Sequence, residues 1–155
     1  MRKSGFTLIE ILIVVIILGI LAAIVIPQFT EASSEAREST LVSNLQTLRS
    51  QIGLYKVQHN DDYPDTTSAA TFELGLTDKT LVDGTVDNVN GEFGPYMQNV
   101  PKNPFIDESA GAVPLFDIDG TLGDDSAHWY FDSTTGNLWA DDSDQTPDGT
   151  NHSTL

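Results

Sequence analysis

The feature that most constrains this chain is an apolar run close to its first residue. From residue 6 to residue 26 the run holds two polar side chains, Thr7 and Glu10. As an α-helix it would be about 31 Å long at 1.5 Å per residue, which is enough to cross the hydrocarbon core of a bilayer. The run ends at Pro27, which either begins a new helical segment or kinks a continuous one. The sequence therefore predicts a membrane-spanning helix over residues 6–27.

The residues that flank this span predict its orientation. Arg2 and Lys3 precede it without an acidic residue, and the positive-inside rule then places the short N-terminal end in the cytoplasm. A cleaved secretory signal and a plain signal anchor are two ordinary interpretations of such a run. Residues 21–23, Leu-Ala-Ala, form a poor secretory cleavage site because a large residue stands where a small one is needed. Neither interpretation gives Glu10 a role.

The carboxylate of Glu10 predicts a partner, because an unpaired charge inside a span costs about 2.5–3.5 kcal/mol at its centre and less near its edge. If the chain is cut between Gly5 and Phe6, a new positive α-amino group lies four residues from Glu10. In a staggered bundle, the amine of one subunit could meet Glu10 of the next. Two charges about 4 Å apart at an effective dielectric near 20 attract by about 4 kcal/mol, part of which is lost to desolvation. Glu10 would then set the register between neighbouring helices.

The segment Gly-Phe-Thr-Leu-Ile-Glu at residues 5–10, followed by the apolar run that ends at Pro27, resembles the class III signal of type IV pilins and of the pseudopilins of type II secretion. This resemblance implies that residues 1–5 are a leader peptide. It also implies that a prepilin peptidase cuts between Gly5 and Phe6 and methylates the new amine. Glu10 would then pair with the N-terminus of a neighbouring copy during filament assembly.

A second helical segment is predicted over residues 28–59. The apolar residues of this segment step by four and three positions along one stripe, made of Leu41, Leu45, Leu48, Ile52 and Tyr55. Together with the span they predict one helix of about 50 residues. A free coiled coil is the alternative, but the β-rich segment that follows needs a helix to cover it, which favours packing.

Residues 60–155 are predicted to form an acidic, β-rich head, and the fold class is therefore α+β with the long helix packed on the head. Four short apolar pieces are the candidates for ordered structure: residues 70–76, 113–118, 129–131 and 138–140. The last two form a predicted hairpin whose loop contains Gly136. We expect a sheet of three or four antiparallel strands, and an irregular loop over residues 77–103. The aromatic residues of the hairpin favour packing over a binding surface.

The charge of the chain restricts its partners and its chemistry. The net charge of −16 argues against nucleic acid as a partner, and the absence of cysteine excludes disulfides and cysteine metal sites. The best candidate ligands for calcium are Asp117, Asp119, Asp124 and Asp125, with residues 141–144 as a second cluster. Neither matches the EF-hand pattern, and the sequence lacks the usual nucleophile and phosphate-binding motifs, so we expect no enzyme.

Two further stretches, LQTLRSQIGLYKVQHNDDYP and VPKNPF, resemble the helix end and the following loop of the major pseudopilins of type II secretion. The resemblance implies a filament of identical copies that is built on an inner-membrane assembly platform, with minor pseudopilins as further candidate partners and with the head in the periplasm. A calcium loop rich in glycine and serine, typical of major pseudopilins, is not recognisable here. Two alternatives stay open: a type IV pilus subunit for adhesion, motility or DNA uptake, and a membrane-anchored binding or enzymatic domain.

Overall fold

The computed structural model describes residues 5–109 and 111–155, and the described residues form two compact units that divide between residues 37 and 38. Residues 1–4, which are most of the predicted leader peptide, lie outside the described residues. The four predicted segments, 1–5, 6–27, 28–59 and 60–155, stay a prediction.

Helix α1 runs from Leu8 to Gln58 and confirms the predicted helix of about 50 residues. Pro27 lies inside α1, so the helix does not end there. A proline removes one main-chain N–H, so one hydrogen bond of the helix is missing at this position. The segment nevertheless continues in helical conformation on both sides of Pro27.

The predicted stripe of α1 lies in the core of the head. All five of its residues are buried, with exposed fractions of 3% or less: Leu41, Leu45, Leu48, Ile52 and Tyr55. Four of them pack in one hydrophobic cluster with Phe72 of the second helix and with Trp129 and Phe131 of the sheet. Burial of this stripe removes apolar surface from water, which is the main stabilising force of the head. Packing within the chain, rather than a free coiled coil, is confirmed.

Helix α2, Ala69–Thr77, covers the apolar piece that was predicted at residues 70–76. Its first turn is closed by a capping box, in which Ser68 accepts a hydrogen bond from the Thr71 N–H and the Thr71 hydroxyl accepts one from the Ser68 N–H. This pairing satisfies two main-chain donors that a helix start otherwise leaves unpaired. The segment after α2 forms isolated bridges at Thr80 but no strand among its described residues, as expected for residues 77–103.

The sheet has three strands, β1 (Phe116–Ile118), β2 (Trp129–Phe131) and β3 (Leu138–Ala140), in that spatial order. Strands β2 and β3 form the predicted antiparallel hairpin, with Tyr130 opposite Trp139. Strands β1 and β2 are parallel, so the prediction of an all-antiparallel sheet is wrong. The physical reason is the path of residues 119–128, which carry the chain back along β1 before β2 begins.

The aromatic side chains of the hairpin confirm the packing interpretation. Trp129 and Phe131 are fully buried, and the Trp129 indole N–H donates a hydrogen bond of 2.7 Å to the Pro101 carbonyl. On the other face of the sheet, the rings of Tyr130 and Trp139 lie 6.0 Å apart as a cross-strand pair. These side chains therefore stabilise the sheet.

Candidate assembly site and acidic loops

Glu10 and Thr7 together cap the start of α1. Thr7 is the residue before the helix, and Glu10 is the third residue within it. The Glu10 carboxylate accepts hydrogen bonds from the Thr7 N–H at 2.7 Å and from the Thr7 hydroxyl at 2.8 Å, and the Glu10 N–H donates to the Thr7 oxygen at 3.3 Å. This is the capping box expected for a Thr-x-x-Glu sequence. The spacing of Thr7 and Glu10 signals this role, which was not among the predictions from the sequence.

Capping lowers the energy needed to place this carboxylate at the start of an apolar helix. The Thr7 N–H, which donates to the carboxylate, and the positive end of the helix dipole both favour a negative group at this position. Glu10 stays exposed within the single chain. Its carboxylate is thus held at a defined place on the helix, where a positive group of another chain could approach it.

The two residues at the predicted cleavage site lie just before the capped helix. Phe6 is 84% exposed, and nothing lies within 4 Å of the position that a side chain on Gly5 would take. The structure therefore leaves the peptide bond between them accessible. Cleavage between Gly5 and Phe6 stays a prediction.

The apolar side chains of the first half of α1 have no covering partner within their own unit. Those from Leu8 to Ile26 are exposed by roughly half or more in most cases. Among the described residues, one helix, α1, is long and apolar enough to cross a membrane, judged by length and composition. Exposed apolar surface of this extent marks a segment that a bilayer or other chains cover.

Three of the four predicted calcium ligands, Asp119, Asp124 and Asp125, lie in the connection between β1 and β2. The fourth, Asp117, lies in strand β1. Each carboxylate accepts a hydrogen bond from a different main-chain N–H: Asp117 from Thr121, Asp119 from Ser133, Asp124 from Ser126 and Asp125 from Ser143. Within residues 5–109 and 111–155, no three His, Cys, Asp or Glu side chains are grouped so that they could hold a metal ion. The four carboxylates act as loop and turn acceptors in this structure, and calcium binding stays a prediction.

Asp141, part of the second predicted cluster, is instead a buried structural group. It is fully buried and accepts hydrogen bonds from the N–H groups of Gly123 at 2.7 Å and Ala127 at 3.0 Å, and from the hydroxyl of Ser126. Burial raises the pKa of the Asp141 carboxyl, although these hydrogen bonds act in the opposite direction. Asp141 thereby ties the connection between β1 and β2 to the end of β3.

A buried polar network continues from Asp142. Its carboxylate bonds to His152 and to the side-chain amide of Asn103. The Asn103 N–H donates to Nδ1 of His128, so Nε2 of that ring carries the proton that is shared with Glu108 at 3.0 Å. His128 is 1% exposed, and these hydrogen bonds give it a structural role. Nothing in the sequence pattern indicated that Asp142 and His152 would meet.

The N-terminal segment of this chain is similar to a known family of sequences. The prokaryotic N-terminal methylation motif matches residues 1–26. That motif, with a long helix that starts as an exposed apolar segment and ends in the core of a small α+β head, defines a pilin-like protein.

Full-length relatives identify the family more narrowly. The chain is 33% identical to the type II secretion system core protein G of Aeromonas hydrophila over 141 residues, which are 83% of this chain and 93% of that protein. It is 30% identical to the Klebsiella pneumoniae core protein G over 140 residues, 83% of this chain and 95% of the relative. A fimbrial protein of Pseudomonas aeruginosa is 36% identical over 84 residues, 54% of each chain. No solved structure matches this chain. The chain belongs to the type II secretion system core protein G family, the major pseudopilins.

Proposed function

We propose that this chain is a filament subunit of a type II secretion machine, made as a precursor and matured by a prepilin peptidase. The peptidase cuts between Gly5 and Phe6 and methylates the amine of Phe6. The precursor is held in the inner membrane by the first half of α1, with the N-terminus in the cytoplasm and the head in the periplasm. The observation that supports this most directly is the match of residues 1–26 to the methylation motif in a chain whose full-length relatives are core protein G.

We assign to Glu10 the role of setting the register between the helices of neighbouring subunits in the filament. Its carboxylate is fixed at the start of α1 by Thr7 and remains exposed, which is the arrangement needed to accept the amine of Phe6 from a neighbouring copy. Copies of this chain are therefore the principal partners. The prepilin peptidase, the inner-membrane assembly platform and minor pseudopilins complete the proposed set of partners.

A type IV pilus subunit remains the second candidate. The fimbrial relative supports it, but that likeness covers 54% of each chain, against more than 80% of each chain for the core protein G relatives. Deletion of the gene distinguishes the two: loss of protein secretion with surface pili intact supports the secretion role, and loss of pili with secretion intact supports the pilus.

The experiment that tests maturation is mass spectrometry of the protein purified from its own membranes. A chain that begins at Phe6 with one added methyl group is expected. A chain that begins at Met1, or beyond Ala23, would contradict the proposal and would make the acidic head the working part of a membrane-anchored protein.

Calcium binding by the head is retained as a proposal with its own test. A ligand that binds the folded state alone raises its stability by mass action. The melting temperature of the full chain in detergent should rise in millimolar calcium relative to chelator, and substitution of Asp124 and Asp125 by Asn should remove the rise. An unchanged melting temperature contradicts calcium binding.

A further inference from the structure

A polar cavity opens on the head between the end of α1 and the loop at residues 83–85. Its volume is about 530 Å³, and three carboxylates line it: Asp62, Asp65 and Asp83. All three are exposed, and none is part of a salt bridge within the described part of the chain. The ammonium of Lys56 lies nearby, but it bonds to Tyr63 and pairs with Asp61. The cavity therefore carries an excess of unpaired negative charge.

A second, independent feature of the cavity is an unpaired hydroxyl. Tyr55 lines the cavity, is 1% exposed, and its Oη has no hydrogen-bond partner among the described residues. A buried polar group without a partner costs free energy, so such a group calls for an explanation. The ring cannot turn freely, because it stacks on His59 with ring centroids 3.7 Å apart. His59 is itself held by Thr80 at 2.8 Å.

Gly84 controls the space next to this hydroxyl. Its φ of +82° is in the left-handed region, and a Cβ at this position would lie 2.9 Å from Tyr55 Oη. The glycine thus allows the turn and avoids this close contact between a Cβ and Tyr55 Oη. The turn is fixed by Asp83, whose carboxylate accepts a hydrogen bond of 3.0 Å from the Thr85 N–H.

The chemistry of the lining selects a particular class of ligand. Carboxylates around the cavity attract a cation, yet no three acidic or histidine side chains of residues 5–109 and 111–155 are grouped closely enough to hold a metal ion. A guanidinium or ammonium group suits carboxylates that are not grouped around one point. It carries several N–H donors, and these can bond to oxygens of different side chains. The uncharged Tyr55 oxygen can accept one of these bonds.

We propose that this cavity is a binding site for the guanidinium or ammonium group of a basic side chain from another protein chain. The chain itself holds 7 basic and 23 acidic residues, so a neighbouring copy can supply such a side chain but other, more basic proteins can as well. Filling by a second copy rests on the proposed filament, whereas the site itself does not.

The environment of Tyr55 agrees with this assignment. Burial, with smaller contributions from Tyr96 and the three cavity carboxylates, raises the pKa of Tyr55 to about 12. The hydroxyl therefore stays protonated at neutral pH, with a lone pair free for a donor from the ligand. Bound positive charge is expected to lower this pKa.

The test is a titration of the full ¹⁵N-labelled chain in detergent micelles with N-acetyl-arginine amide, followed by amide NMR shifts. Saturable shifts are expected at Asp65, Gly84 and Thr85, with a Kd in about the millimolar range. N-acetyl-citrulline amide has nearly the same shape without the charge and should give none. The absence of saturable shifts with the arginine amide, or equal shifts with both probes, overturns the proposal.

Two matched variants test whether the arginine amide binds at the cavity carboxylates. Asp83→Asn removes one charge but keeps the oxygen that accepts the Thr85 N–H, and should weaken binding by about twofold to fivefold, the range for one exposed ion pair. Asp87→Asn changes a carboxylate of the same loop that also accepts main-chain N–H groups but does not line the cavity, and should leave binding unchanged. Equal effects of both variants would overturn the site.

The source of the basic side chain is settled by repeating the titration on assembled filaments. If a neighbouring copy fills the site, the arginine amide no longer binds and Asp83→Asn reduces filament yield. If the site stays open and the variant assembles normally, the basic side chain comes from a different protein. Loss of the proposed function, for example an uncut N-terminus, would leave the titration of the single chain unaffected, so the two failures are distinguishable.

Discussion

His152 and Asp142 form a buried hydrogen bond in the head, with Nδ1 of the imidazole 2.6 Å from the carboxylate. Both side chains are 1% exposed or less, and the ring of His152 packs 4.4 Å from that of Phe105. The same carboxylate accepts a hydrogen bond from the Asn103 amide. Asp142 therefore links the C-terminal 3-10 helix, residues His152–Thr154, to the loop before β1.

Removal of this carboxylate should destabilise the head strongly. Asp142→Ala removes the acceptor of His152 Nδ1 and of one N–H of the Asn103 amide, whose other N–H bonds to the His128 carbonyl. Each buried group left unpaired costs about 1–3 kcal/mol. We expect the free energy of unfolding to fall by about 3 kcal/mol, measured by urea denaturation of the full chain in detergent with tryptophan fluorescence. Asp144→Ala removes an exposed carboxylate two residues away and should stay within about 0.5 kcal/mol of the wild type. Equal effects of the two variants would contradict the role of the buried pair.

The turn between β2 and β3 offers a second matched pair of variants. Gly136 has a φ of +73°, and a Cβ at this position would overlap the hydroxyl of Tyr63. Gly149 has a φ of +86° with nothing within 4 Å. In both alanine variants the left-handed backbone conformation lowers the free energy of unfolding by about 1–2 kcal/mol. In Gly136→Ala the clash of the new Cβ with Tyr63 lowers it by about 1–3 kcal/mol more.

The measurement for this pair is the difference in unfolding free energy between Gly136→Ala and Gly149→Ala. We expect Gly136→Ala to be less stable by about 2 kcal/mol. A difference close to zero would mean that Tyr63 moves aside without loss of stability. The close approach of this ring would then not be needed for the hairpin.

The stability of the head should depend on pH through Glu108. The hydrogen bond from Lys102, followed by that from His128, lowers the pKa of the Glu108 carboxyl below its ordinary value of 4.5. A lowered pKa in the folded state means that the stabilising contribution is complete above the unfolded value and is lost as the pH falls through the folded value. The difference in unfolding free energy between wild type and Glu108→Gln should therefore shrink on acidification from about pH 5.

Lys102→Met provides the control for this pH effect. Lys102 is the largest cause of the lowered pKa, so its removal should weaken the same pH dependence even though Glu108 is present. If the wild type instead became more stable relative to Glu108→Gln as the pH falls, the role assigned to the Glu108 carboxylate would be contradicted.

Periodicity and motif were enough to predict the parts of this fold that depend on local sequence. The stripe from Leu41 to Tyr55 follows the helical period, and strands β2 and β3 lie at the residues predicted for them. The parallel pairing of β1 with β2 could not be predicted in this way. It depends on the path of residues 119–128, which Asp141 holds through main-chain donors that no sequence pattern reveals.

The acidic residues also show that a sequence pattern does not reveal which side chains the fold buries. Eleven acidic side chains after Lys102 look alike in the sequence. In the structure, Asp141 and Asp142 are buried and fully engaged, whereas Asp117 and Asp124 cap exposed turns. Burial of a carboxylate is possible only where enough donors converge, and that convergence is a property of the fold.

The last prediction separates the two roles of Glu10, helix capping and pairing between subunits. Glu10→Gln keeps an oxygen that can accept both hydrogen bonds from Thr7 but removes the charge, whereas Glu10→Ala removes both functions. If Glu10 pairs with the amine of a neighbouring copy, both variants lose an attraction of about 4 kcal/mol before desolvation, and both should form filaments that are about tenfold fewer or shorter. Filaments are counted by electron microscopy, and the mass of the mature chain confirms that each variant has been inserted and cut. Normal filaments from Glu10→Gln together with defective ones from Glu10→Ala would assign Glu10 to capping alone, because the amide retains the capping oxygen and lacks only the charge.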